Sequence, residues 1–287
     1  MTWIIIAILA SLVGAASMDV NRHFKQDGAS LNFWRLFPQL LVLAPFCFAS
    51  HWPDDLYFYA VALVGGLSIM VIDTYLYNTA SQHNGRVASM IAPTRAFFAL
   101  FIGFGVAPAT LFVLLEHPAK GLMIGGGFLL ATAGALSLRR NPLAWEVFQP
   151  MIMLGVFSSI VFTLRKTAIA QEAAYLQTAQ ILFAQYVFSA VFLYILLKRT
   201  RIPLRTRFSK QMVTSALLMA VTLLGTAFLL NVAIVLSPNA GYPLAIMLLM
   251  PIWLMLYHKL RGIQDNASPY AAAVVVAGVI LMLVAAA

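Results

Sequence analysis

The chain is a succession of long apolar runs separated by short polar or Pro/Gly punctuation, and that pattern restricts the backbone more than any single residue does. Ten runs can be drawn, at about 2–20, 29–49, 56–80, 87–114, 120–138, 147–168, 173–197, 211–236, 240–258 and 269–286. A helix needs about 20 apolar residues to cross a bilayer. In hydrocarbon every backbone polar group must be satisfied within the segment, so runs of this length joined by short connections form spanning helices. With 62% hydrophobic and 9% charged residues, against about 25% charged in an ordinary soluble domain, a soluble globular fold is excluded. The expected fold is an all-α polytopic membrane protein with ten transmembrane helices. The start of the chain runs straight into an apolar stretch without a basic lead, so it is expected to be a retained first helix.

Weak internal similarity supports two halves, 1–140 and 145–287. Sliding the chain by 144 residues lays Ala133-Gly134-Ala135-Leu136 on Ala277-Gly278-Val279-Ile280, and Arg22 on Lys166. The third and eighth runs align at an offset of 153, Asn78 over Asn231, the difference falling on the longer Lys198–Lys210 connection. Five crossings per copy is an odd number, so the second copy enters the membrane upside down, an architecture many secondary transporters share. This layout, the connection Leu114-Leu115-Glu116-His117-Pro118 and the run Gly125-Gly126-Gly127-Phe128-Leu129-Leu130-Ala131-Thr132-Ala133-Gly134 together resemble the EamA-type transporters of the drug/metabolite transporter (DMT) superfamily. The likeness covers essentially the whole chain. It implies export or exchange of small metabolites, commonly amino acids, nucleotide sugars or amphipathic cations, through a central cavity between the halves. It also implies a bacterial cytoplasmic (inner) membrane.

Charge sets an expected orientation. Connections after odd-numbered runs hold thirteen Lys or Arg, whereas those after even-numbered runs hold Lys120 and, at the end of the sixth run, Arg165 and Lys166. The positive-inside rule therefore puts the odd connections in the cytoplasm and both termini outside, whereas relatives of this layout are usually drawn with both termini inside. The densest cluster, from Lys198 to Lys210, is a topology anchor, with recognition of anionic lipid as its alternative. Only Phe208 is interleaved for base stacking, so nucleic acid is not expected as a partner. The bilayer and a small-molecule substrate are. The small-residue runs Gly125-Gly126-Gly127 and Ala271-Ala272-Ala273 permit close helix packing within one chain or between two, as a monomer or a homodimer.

Ionisable groups inside a span are costly and face a cavity or one another. Arg35, Asp73 and Arg95 fall ~9–13 Å inside their runs at 1.5 Å per residue, on the same side of the membrane. Asp73 and Arg95 are expected to pair at the cavity edge, with Arg95 or Arg35 meeting an anionic group on the substrate, since a guanidinium matches carboxylate and phosphate. The same residues serve equally as a buried structural ion pair. Tyr77 shares a helix face with Asp73, and Asn78 lies beside it. In the second half the candidates are neutral: Gln185, Asn231 and Tyr242. The expected cavity lies between the halves, lined by the first, third, fourth, sixth, eighth and ninth runs. Pro93 and Pro251 interrupt the fourth and ninth runs and are candidate hinges.

No catalytic, nucleotide-binding or metal motif appears. The five His are spread over different connections and the single cysteine, Cys47, lies in an apolar run. Neither a metal, a cofactor nor enzymatic activity is expected. The functional expectation is a secondary active transporter, an exporter or exchanger of small polar metabolites such as amino acids or related anionic compounds. The alternatives are a flippase for a lipid or lipid-linked headgroup, and a non-transport membrane assembly protein.

Overall fold

A computed structural model describes residues 2–82, 91–138, 145–199, 209–262 and 268–286, which are helical almost throughout. We label the helices α1 (Thr2–Phe24), α2 (Gly28–Phe48), α3 (Leu56–Gln82), α4a (Ile91–Val106), α4b (Pro108–Glu116) and α5 (Pro118–Ser137). They continue as α6 (Trp145–Ala168), α7 (Ala174–Arg199), α8 (Lys210–Leu236), α9 (Gly241–Leu260) and α10 (Pro269–Ala286). Among the described residues, eight helices are long and apolar enough to cross a bilayer, or nine if α4a and α4b count as one span. The chain is an integral multi-pass membrane protein. Its apolar surface fits that solvent: Leu122, Leu129 and Ile280 on α5 and α10 are exposed.

One expected span differs from a simple crossing. The run at 87–114 breaks at Ala107, where α4a and α4b meet at 97°. Pro108 lacks the amide hydrogen that would continue the helix, and it starts α4b instead. No residue of α4b is buried.

Packing follows a regular scheme. α5 lies against α10, α2 against α7, and α4a against the start of α9. α1 packs on α8 and α9, while α6 packs on α3 and α4a. At the α5–α10 contact, a Cβ on Gly127 would come within 2.6 Å of the Gly278 carbonyl oxygen, and one on Gly134 within 2.9 Å of that of Ala271. Only hydrogen fits there, so the two backbones touch. The largest apolar core joins α1, α4a, α5, α8, α9 and α10, and a second joins α2, α3 and α7.

α3 is interrupted by a five-residue π turn at Ile69–Asp73. Asn32 of α2 accounts for it. Its side-chain nitrogen donates to the Ile69 carbonyl (3.0 Å) and to Thr74 Oγ1 (3.1 Å), drawing that carbonyl out of the helical ladder. The turn ends on Asp73, a half-buried carboxylate.

Candidate functional site

α2 carries Asn32, Arg35 and Gln39 at intervals of three and four residues, hence on one face. Arg35 is 2% exposed, and all its guanidinium nitrogens are engaged. Nε donates to Asn32 Oδ1 (3.1 Å), Nη1 to Gln39 Oε1 (3.0 Å), and Nη2 forms an ion pair with Asp73. The guanidinium also lies 5.5 Å from the centre of the Tyr77 ring, in a cation–π contact. Gln39 completes the row by donating to the Ala220 carbonyl of α8 (3.2 Å). The expected pairing of Asp73 with Arg95 is therefore corrected: helix rotation turns Arg35 onto the carboxylate.

Asp73, Tyr77 and Arg95 line an internal cavity of about 110 Å³ together with Ser17 of α1, Thr226 of α8 and Met247 of α9. Its walls come from α1, α3, α4a, α8 and α9. α5 and α10 stay outside it, as expected, but so does α6. Nε of Arg95 is buried without an acceptor among the described residues. α6 holds α4a in place through Ser159, whose hydroxyl donates to the Arg95 carbonyl (2.8 Å).

A third arginine belongs to this cluster, and its sequence position had suggested a membrane-edge charge. Arg165 is 6% exposed. Its Nη1 donates to Asn231 Oδ1 (3.2 Å), its guanidinium lies 5.1 Å from the Phe162 ring centre, and its Nε has no acceptor among the described residues. It is within electrostatic range of Asp73, Arg95 and Tyr186. Neighbouring Lys166 is also no loop charge, because its ammonium donates to the carbonyls of Ile234 (3.1 Å), Val235 (3.3 Å) and Ser237 at the end of α8. A cation at a helix C-terminus satisfies carbonyls that have no partner within the helix. The even-numbered connections thus keep Lys120 alone. Arg86, Arg139, Arg140, Arg201, Arg205 and Arg207, which carry much of the expected orientation and the 198–210 cluster, lie outside the described residues.

Among the described residues, Arg35, Arg95 and Arg165 have a single aspartate, Asp73, within electrostatic range, an excess of two positive charges. Uncompensated charge in a low-dielectric interior costs several kcal/mol per ion, and a bound anion removes that cost. Tyr186 on α7 is also buried, 2% exposed.

The other candidates fall elsewhere. Asn78 accepts from the Gly28 amide (2.8 Å) and so caps α2, where the backbone of Gly28 comes so near α3 that a Cβ would sit 2.5 Å from the Thr74 carbonyl. Tyr242 stacks on Trp3 with ring centres 6.2 Å apart, outside the cavity lining. Gln185 is fully buried against Gly65, and both ends of its amide lack a partner among the described residues. Asn231 joins the cluster only through Arg165. Pro251 follows a 3₁₀ turn at Met247–Leu249 that breaks α9, whereas Pro93 is the third residue of α4a.

A second, larger void of about 670 Å³ lies on the lateral face between α8 and two helices outside the expected set of walls, α2 and α7. Pro38, Val42, Ala179, Val221, Leu224 and Phe228 are among its lining. No cluster of three metal-ligating side chains occurs among the described residues. Compared with protein-family models and with curated proteins, the chain matches none.

Proposed function

We propose that this chain is a secondary transporter that moves a small anionic metabolite, bearing a carboxylate or phosphate, across a bacterial cytoplasmic membrane as exporter or exchanger. The carrying observation is Arg95, a cation facing the internal cavity beside an aspartate already committed to Arg35. Arg165, hydrogen-bonded only to a neutral amide among the described residues, adds to the positive field. A guanidinium held in a low-dielectric wall binds carboxylate and phosphate strongly and with geometric selectivity.

Ten spans in two inverted repeats, of the EamA type, are the architecture we assign to this function. The packing scheme supports it, since exchanging α1–α5 for α6–α10 turns the observed contacts into one another. α1 on α8 becomes α6 on α3, α4a on α6 becomes α9 on α1, and α2 on α8 becomes α7 on α3. The glycine contacts obey the same exchange: adding or subtracting 144 converts the Gly127–Gly278 approach into that of Ala271 and Gly134. That the cavity draws its walls from α1, α3 and α4a on one side and α8 and α9 on the other supports a substrate site between the proposed halves.

The test is counterflow in proteoliposomes containing the full chain, with small mono- and dicarboxylates, inorganic phosphate, a neutral sugar and an alkyl amine as candidates. Saturable flux of an anion, abolished by Arg95→Gln, is expected. Flux of the amine or sugar alone, or none at all, would overturn the proposal.

A further inference from the structure

We infer that the lateral groove between α2, α7 and α8 binds the alkyl tail of an anionic amphiphile drawn from the bilayer. This inference rests on the charged cluster being an anion site. The groove opens onto the lipid-facing surface, where Val42, Phe46, Tyr175 and Val221 on its rim are all exposed. Whatever enters it from that side comes out of hydrocarbon. It is concave because small side chains, Ala179, Ala220 and Gly225, form its floor, and Pro38 lies at its edge. Its volume of about 670 Å³ falls in the range, roughly 300–1,000 Å³, of sites that enclose a small ligand.

The floor also gives the groove a chemical direction. Gln39 is its one amide, and Tyr175 is the only other lining side chain with a polar atom. Gln39 is fully buried and hydrogen-bonded to Arg35, which pairs with Asp73 in the cavity wall. A polar line therefore runs from the apolar groove to the cation-rich core. The same stretch of α8 walls both spaces: Ala220, Val221, Leu224 and Phe228 face the groove, and Met219, Leu223, Thr226 and Leu230 face the cavity. One helix thickness, about 10 Å, thus separates a site for hydrocarbon from a field that attracts anions. The Gln39 amide, donating to the Ala220 carbonyl, closes the seam between α2 and α8 at that level. An amphiphile with its tail in the groove has an anionic head in the favourable field, whereas a cationic head meets the same field as repulsion.

The experiment uses the purified full chain in nanodiscs of phosphatidylcholine and a long-chain fatty acid carrying a diazirine at the tail end, with mass spectrometry to locate adducts. Two probes with the same chain carry a neutral hydroxyl or a quaternary ammonium head. Adducts from the carboxylate probe are expected at the groove walls, about tenfold above the cationic probe. Leu224→Trp, or the more exposed Val221→Trp should the first not fold, fills the groove and is expected to lower this labelling by about tenfold, while Ile280→Trp on α10 leaves it unchanged. Adducts spread over Leu129 and Ile280 in proportion to exposure, or equal labelling by the three heads, or labelling undiminished in both groove-filling variants, would overturn the inference. Flux of water-soluble anions without localised labelling removes the groove site and leaves transport standing. Localised labelling without such flux does the reverse.

Discussion

Arg35 and Arg95 both approach Asp73, yet one is surrounded by acceptors and the other faces open space. Around Arg35, α2 supplies Asn32 and Gln39 at helical spacing and α3 supplies the carboxylate, so each guanidinium nitrogen has a partner. Around Arg95, Nε has no acceptor among the described residues, and the side chain borders a cavity. A buried cation with a full set of partners fixes helix register, while one lacking partners is costly until something fills the space beside it. The comparison separates charge used to build the bundle from charge kept for a ligand. Arg165 stands between the two, with one amide partner and one nitrogen left over among the described residues.

The largest effect should come from Arg35. Arg35→Leu strands Asp73 and both α2 amides, and thermal unfolding in detergent is expected to report a loss of about 3–5 kcal/mol. Combining it with Asp73→Leu should recover a large part, and an equal or greater loss in the double variant would break the distinction between the two arginines. Asn231→Leu removes the acceptor of Arg165, and a lost hydrogen bond to a charged group is expected to cost about 1.5–3 kcal/mol. A neutral outcome would show that Arg165, like Arg95, is not held by its partner. Far from both arginines, Gly278→Val drives a side chain toward the Ala131 backbone, where a Cβ would lie 2.4 Å from the amide nitrogen; overpacking of this kind costs about 1–3 kcal/mol. Gly125→Ala, with nothing within 4 Å of the added Cβ, should stay within about 0.5 kcal/mol of the parent. Arg95→Gln should change stability by no more than about 1 kcal/mol, of either sign, because no bonded side-chain partner among the described residues is stranded. A loss as large as that of Arg35→Leu would make Arg95 structural.

Which residues would be buried and charged was readable where the charge interrupts an apolar run, as for Arg35, Asp73 and Arg95. Their pairing was not, because sequence gives depth along a helix but not the rotation that aims a side chain. Arg165 was missed for a related reason: beside Lys166 and near a helix end it has the pattern of an interfacial charge, and only the packing of α6 on α8 buries it. Pro108 was an available signal for the break between α4a and α4b, since the residue before a proline avoids helical backbone. The π turn in α3 had no local signal, because its cause is Asn32, 37 residues upstream of Ile69. Asn78 was read by its placement near Asp73, whereas its task is set by the end of a different helix.

Affinity for anions, read with and without Arg95, tests the central claim most directly. The purified full chain and its Arg95→Gln variant can be titrated with a small dicarboxylate, with inorganic phosphate and with an alkyl amine, following the unfolding midpoint. The parent should be stabilised by at least one of the anions and not by the amine, and the variant should melt near the parent while losing about tenfold or more in anion affinity. Stabilisation of parent and variant by the same anion at the same concentrations would contradict the assignment of Arg95 as the cation that receives it.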